Sequence, residues 1–224
     1  MKQTFKKKIS ATILITTIFS TNYFYTTENN NKPIIISTNT SDLVDISTIN
    51  PNIKKDIYYA TTNNFTGQIL YKSAKCYLRK TTAEKLNKVQ KILEEKGLGL
   101  KVWDGYRPLS AQKKMWKIVP DPQFVADPSK GSMHNRGAAV DVTLVDLKTG
   151  KELEMPTGFD DFSANAAAYC TEGISKEAIN NRTILQDAMT KCGFLIFKSE
   201  WWHFNDSDWK QYAILDVDFS EISK

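Results

Sequence analysis

Residues 132–146 read SMHNRGAAVDVTLVD, and the alternation in the second half of that stretch decides the fold. Successive side chains of a strand point to opposite faces, so Val140, Val142 and Leu144 share one face while Asp141 and Thr143 share the other. The stretch from Ala138 to Val145 therefore predicts a strand. An aspartate in so apolar a strand is costly unless it is paired or bound to a metal, which marks Asp141 as a candidate functional residue.

Upstream of this strand, Pro120, Pro122, Pro128 and Gly131 hold the chain in a loop, and a short helix is predicted from Ser110 to Val119. Leu100 and Val102 alternate with Lys101 and Trp103 before Gly105 and Pro108, the pattern of a strand ending in a turn. Further back, Thr81 and Glu84 have the spacing of a capping box. Leu86, Val89, Ile92 and Leu93 keep helical spacing from there to Gly97. Downstream, a helix is predicted from about Asn181 to Cys192, closed by Gly193, with strand-like Phe194 to Phe197 and Trp201 to Phe204 after it. Strands and helices in mixed order, without regular alternation, predict an α+β domain.

The chain has 224 residues, 41% hydrophobic and 25% charged, which excludes disordered, collagen-like and small disulfide-stapled classes. Without residues 1–26, which hold four lysines and no acid, the net charge of +5 falls to +1. The basic balance belongs to the leader, and no nucleic-acid partner is expected. Lys2, Lys6, Lys7 and Lys8 precede an uncharged run from Ile9 to Tyr25 whose most apolar part, Ile9 to Phe19, is short for a membrane span. Residues 1–26 thus read as a signal peptide or N-terminal anchor, with export to the periplasm or beyond and membrane contact only through that leader. Residues 27–42, rich in Asn, Thr and Ser, read as a flexible tether in which Ile34, Ile35 and Ile36 could add an edge strand. Residues 43–224 form the single folded domain. Cys76 reads as a buried thiol, whereas Cys170 and Cys192 are candidates for a disulfide in an oxidising compartment.

The chemistry begins with the two histidines of the chain, His134 and His203. Either alone reads as an ordinary core or surface residue, and Glu200 alone as a solvated loop acid. Together they read differently. Asp141 follows His134 by seven residues, and Glu200 precedes His203 by three. Two imidazoles and a carboxylate give zinc three ligands and leave the fourth position for water. Glu200 is placed to serve as the base for that water, provided that the chain bends at Glu200; in an unbroken strand, residues 200 and 203 would face opposite sides. Trp103, Trp201, Trp202, Phe194 and Phe197 read as core, with either Trp201 or Trp202 a candidate to line a cavity.

Ser132-Met133-His134-Asn135-Arg136-Gly137-Ala138-Ala139-Val140-Asp141 resembles the S-x-H-x-x-G-x-A-x-D signature of zinc D,D-peptidases, and Glu200-Trp201-Trp202-His203-Phe204 resembles their E-x-W-H signature. Tyr59-Ala60-Thr61 with Asn64-Phe65, Trp103-Asp104-Gly105-Tyr106-Arg107-Pro108 and Phe159-Asp160 match, in order, the D-alanyl-D-alanine dipeptidases of the VanX type. The resemblance spans roughly Asp56 to Phe204. It implies a Hedgehog/DD-peptidase-like zinc peptidase fold with a central antiparallel sheet flanked by helices. It also implies one zinc ion per chain on His134, Asp141 and His203, Glu200 as catalytic base and a small D,D-dipeptide as substrate.

Arg107, which alone would read as a surface turn residue, matches the arginine that steadies the oxyanion. Asp160 matches the acid that holds the substrate ammonium. Ser132 and Tyr59 match positions near the substrate carboxylate, and Asp104 is expected to partner Arg107. A carboxypeptidase or endopeptidase acting on longer wall peptides would keep the same metal residues but need a more open cleft. A non-catalytic zinc module that binds the wall would need neither Glu200 nor Arg107. The stretch from Arg107 to His134 is shorter than expected for the resistance enzymes of this type, so the loops over the cavity are expected to differ. An exported enzyme fits salvage or trimming of wall peptides.

Overall fold

A computed structural model describes residues 23–26 and 34–222. The leader is outside the described residues except for Tyr23–Thr26, as is the tether up to residue 33. In chain order the elements are β1 (Tyr23–Thr26), β2 (Ile34–Ser37), β3 (Leu43–Asp45), α1 (Ile46–Ile49), β4 (Lys54–Lys55), β5 (Tyr77–Arg79), α2 (Lys80–Glu94) and β6 (Leu98–Asp104). There follow α3 (Leu109–Ile118), β7 (Ala139–Asp146), α4 (Lys176–Lys191), β8 (Phe194–Ile196), β9 (His203–Asp206), β10 (Ile214–Leu215) and α5 (Phe219–Ile222).

The central sheet has the order β4-β6-β7-β9-β8. All its pairs are antiparallel except β4 with β6, so the α+β expectation holds. β7 lies in the middle and is buried from Ala139 to Val145, as the apolar reading of that stretch requires. α2 packs on β6, α4 on β7 and β8, and the two helices on each other. Leu86, Val89 and Leu93 of α2, Leu185 and Met189 of α4, and Leu100, Val102, Val140, Val142 and Leu144 of the sheet belong to one apolar core. Each such side chain contributes about 1.5–3 kcal/mol by leaving water. Smaller ladders join β3 to β5, and β2 to β1 and β10. The Ile34–Ile36 run is therefore a strand, lying parallel to Ile214–Leu215 near the C-terminus.

Several local expectations are corrected. α2 begins at Lys80 with Arg79 as its cap and no capping side chain, so Thr81 lies inside the first turn and its hydroxyl meets that of Tyr212. α4 starts at Lys176, earlier than the apolar spacing indicated, because Ser175 caps it by accepting from the Ala178 amide at 3.0 Å. Trp201 and Trp202 are not strand residues: the chain bends there and β9 begins at His203. Cys170 and Cys192 are both free thiols, as is buried Cys76.

Candidate active site

Sheet register assembles the site. Asp141 on β7 stands opposite His203 on β9. On the other side, the β6–β7 register shifts between Val102 and Asp104, a bulge at Trp103 that places Asp104 opposite Asp141. Three polar side chains thus form a row across one sheet face. His134 arrives from a short 3-10 turn, His134–Arg136, that precedes β7. Gly137 ends that turn at φ 68°, a left-handed conformation that suits glycine, and a Cβ there would meet Leu43 Cδ2 at 2.8 Å. The expected bend is present next to Glu200, whose amide donates to the Phe197 carbonyl at 3.4 Å, and both Glu200 and His203 line the same cavity.

Both imidazoles are held in defined tautomers. His134 Nδ1 lies 2.7 Å from the Gly105 carbonyl oxygen, which can only accept, so Nδ1 carries the proton and Nε2 is bare. His203 Nε2 lies 2.8 Å from Asn205 Oδ1, leaving His203 Nδ1 bare. The two bare nitrogens are 3.1 Å apart. Asp141 Oδ1 is 3.1 Å from His203 Nδ1, and Asp141 Oδ2 is 3.3 Å from His134 Nε2. Three lone-pair donors converging at such distances, with no proton assigned between them, are the arrangement a divalent cation stabilises. Their ligand atoms all lie within 4.8 Å of one another, and all three residues are buried, so the set fits a metal ion.

Glu200 Oε2 stands 3.7 Å from His203 Nδ1, beside the ligand set. Burial raises its carboxyl above the ordinary glutamate value, although His203 pulls the other way. Arg107 lines the same cavity and is held from behind. Its Nε and Nη2 donate to Asp104 Oδ2 at 3.0 and 2.8 Å, and its Nη1 donates to Gln112 Oε1 at 2.8 Å. A guanidinium has five N–H groups, so two remain for a ligand. Asp104, fully buried, also accepts from the Tyr71 hydroxyl and the Gly105 amide, each at 2.9 Å. The expected Asp104–Arg107 partnership is therefore present.

Asp160 adopts φ 55°, the one non-glycine residue with positive φ among the described residues. It also lines the cavity, and among the described residues no lysine or arginine pairs with it. Burial, reinforced by the charge of Asp141, raises its carboxyl well above the usual range. Tyr59 lines the cavity as well, and its hydroxyl donates to Asp160 at 2.9 and 3.1 Å. Ser132 lines the cavity, and its Oγ accepts from the His134 amide at 3.2 Å. The cavity is about 210 Å³, below the roughly 300–1,000 Å³ of sites for drug-sized ligands. Trp202, next to His203, lines it as expected, while Trp201 is buried and donates from its indole to Thr157 Oγ1 at 2.9 Å.

Sequence reasoning missed Asn205, Gln112 and Tyr71. Only Asn205 left a local signal: two residues beyond His203 on a strand, it shares that histidine's face.

The fold and this convergence define an enzyme of the metallopeptidase class. Residues 39–223 match the D-ala-D-ala dipeptidase family, and the chain belongs to it. The D-alanyl-D-alanine dipeptidase of Escherichia coli K12 is 39% identical over 181 residues, covering 81% of this chain and 93% of that protein. The corresponding protein of Enterococcus faecium is 33% identical over 172 residues, covering 68% of this chain and 85% of its own length. Among solved structures, the LdcB LD-carboxypeptidase aligns with 84% of this chain and 86% of its own at 18% identity, with a TM-score of 0.46.

Proposed function

We propose that this protein hydrolyses the free dipeptide D-Ala-D-Ala with one zinc ion held by His134 Nε2, His203 Nδ1 and an Asp141 carboxylate oxygen. The observation that carries this reading is the convergence of three lone-pair donors beside Glu200 and Arg107 in one small cavity. Bound there, zinc would supply Lewis acidity, polarising the scissile carbonyl and lowering the pKa of water in its open position. Glu200 then takes the proton of the attacking water and delivers it to the leaving amine. Arg107, fixed by Asp104 and Gln112, presents its two remaining N–H groups to the oxygen that gains charge.

Asp160 binds the substrate ammonium, which supplies the cation that its surroundings lack. Tyr59 holds the Asp160 carboxylate in place, and Ser132 stands at the carboxylate end of the substrate. A site that pairs the substrate ammonium with buried Asp160 rejects peptides extended at that end, since an amide there strands a buried charge. The leader at residues 1–26 supports export to the periplasm or cell exterior, where the substrate would come from wall turnover. Hydrolysis of D-Ala-D-Ala, L-Ala-L-Ala and N-acetyl-D-Ala-D-Ala by the zinc-loaded protein tests the reading. Turnover of the first alone is expected; equal cleavage of the acetylated compound would contradict the role of Asp160.

A further inference from the structure

Residues 120–131 run from the end of α3 toward the turn that carries His134, and the stretch from Pro122 to Ala126 lines the catalytic cavity. The turns of this loop are internal to it. The amides of Gln123, Phe124 and Val125 donate to Asp121, and those of Ser129, Lys130 and Gly131 donate to Asp127. Among the described residues a single hydrogen bond ties the loop to the rest of the chain: Gln112 Nε2 donates to the Ala126 carbonyl at 2.8 Å. Val125 packs into the apolar core, but apolar contact is non-directional and leaves the facing of that carbonyl to the hydrogen bond.

The same amide holds Arg107, whose Nη1 donates to Gln112 Oε1 at 2.8 Å. A guanidinium only donates and a carbonyl only accepts, so the amide has one workable orientation. Gln112 is fully buried and cannot exchange either partner for bulk water. On its other side Arg107 is less fixed than two hydrogen bonds suggest. Nε and Nη2 both donate to one atom, Asp104 Oδ2, which makes that atom a pivot. The Tyr59 ring, with its centroid 5.1 Å from Arg107 Cζ, supports the guanidinium without offering a directional partner. The Gln112 bond is the third point that stops the swing, and it comes from the residue that holds the loop. If Ala126 moves, the rigid amide turns with it and Oε1 leaves Nη1.

We propose that Gln112 is a positioning residue that joins the 120–131 loop to Arg107, so that the guanidinium is aimed at the reacting oxygen only while the loop is seated over the cavity. The proposal rests on the reading of Arg107 as the oxyanion donor. Its test is a pair of double-variant cycles, with kcat and KM measured for D-Ala-D-Ala on zinc-loaded full chains. Gln112→Met keeps the length of the side chain and removes both hydrogen bonds. Its kcat is expected to fall about 10–100-fold and its KM to change less than about threefold, because the aimed contact acts in the transition state. In an Arg107→Lys background, where no fork is left to aim, the same substitution is expected to lower kcat less than about threefold. An equal loss in both backgrounds, or no loss in Gln112→Met alone, overturns the proposal and leaves the dipeptidase reading intact. On the loop side, Asp121→Gly removes the acceptor of the Gln123 amide without touching the cavity lining. Amide exchange across 120–131 is expected to quicken and kcat to fall about threefold or more, with no further fall when Gln112→Met is already present. Faster exchange with unchanged kcat, or the same loss in both backgrounds, also overturns the proposal. Should Gln112→Met fail to fold, Gln112→Asn, whose amide is one methylene too short, takes its place in both cycles. Unchanged kcat in Arg107→Lys removes the oxyanion reading and this proposal with it, whereas failure of the parent to cleave D-Ala-D-Ala removes the dipeptidase reading itself.

Discussion

Replacing Asp104 by Asn keeps the side chain's shape and removes its charge. Four donors converge on this carboxylate: the Tyr71 hydroxyl and the Gly105 amide on Oδ1, and Arg107 Nε and Nη2 on Oδ2. An asparagine offers one oxygen, so an amide NH2 must face either the guanidinium or the Gly105 amide. Arg107 remains charged and is only 8% exposed. Breaking a buried ion pair by removing one partner costs about 3–5 kcal/mol, and because Arg107 borders a cavity the lower figure applies, about 3 kcal/mol. For a chain of this size, that lowers Tm by about 6–12 °C. Loss of the Arg107 anchor is also expected to lower kcat about 100-fold, the scale of a catalytic group displaced by an ångström. Thermal unfolding and D-Ala-D-Ala kinetics measure the two effects. The double variant Asp104→Asn with Arg107→Met is expected to regain much of the stability and none of the activity. An unchanged Tm and kcat in Asp104→Asn would refute the anchoring argument.

Glu200→Ala is expected to lose about 10²–10⁴ in kcat while keeping its zinc, as measured by elemental analysis; near-normal turnover would remove Glu200 from the chemistry. The base works only when ionised, and burial raises its pKa, so kcat/KM should fall with decreasing pH at a point above the ordinary glutamate value of about 4.3. An acid limb at or below that value in the pH–rate profile would show that Glu200 is not the group observed. Asn205→Ala removes the acceptor that holds the His203 tautomer and should weaken zinc retention about 10–100-fold in chelator competition; unchanged affinity would assign the tautomer to another contact.

Much of this site was legible because its residues sit in short, locally patterned segments. The alternation around Asp141 predicted β7 and singled out the aspartate, and the spacing of Glu200 and His203 required the bend observed beside them. What escaped depends on partners distant in the chain. Thr81 has the spacing of a capping residue, yet its hydroxyl is drawn to Tyr212, and the helix begins without it. The bulge at Trp103 arises from register against β7, and the LGLKVWD run carries no mark of it. Tyr59 could be placed near the substrate by resemblance, but its hydroxyl goes to Asp160, 101 residues away. Gln112 falls inside the helix predicted from Ser110 to Val119 with no local mark of its own, and only the fold brings it to Arg107.

Zinc stoichiometry, measured together with turnover, tests the convergence of His134, Asp141 and His203 most directly. One zinc per chain is expected, with D-Ala-D-Ala hydrolysis lost on chelation, restored by zinc, and accompanied by loss of the metal in His134→Ala and His203→Ala. Full activity in a metal-free chain, or undiminished zinc binding in those variants, would contradict the account.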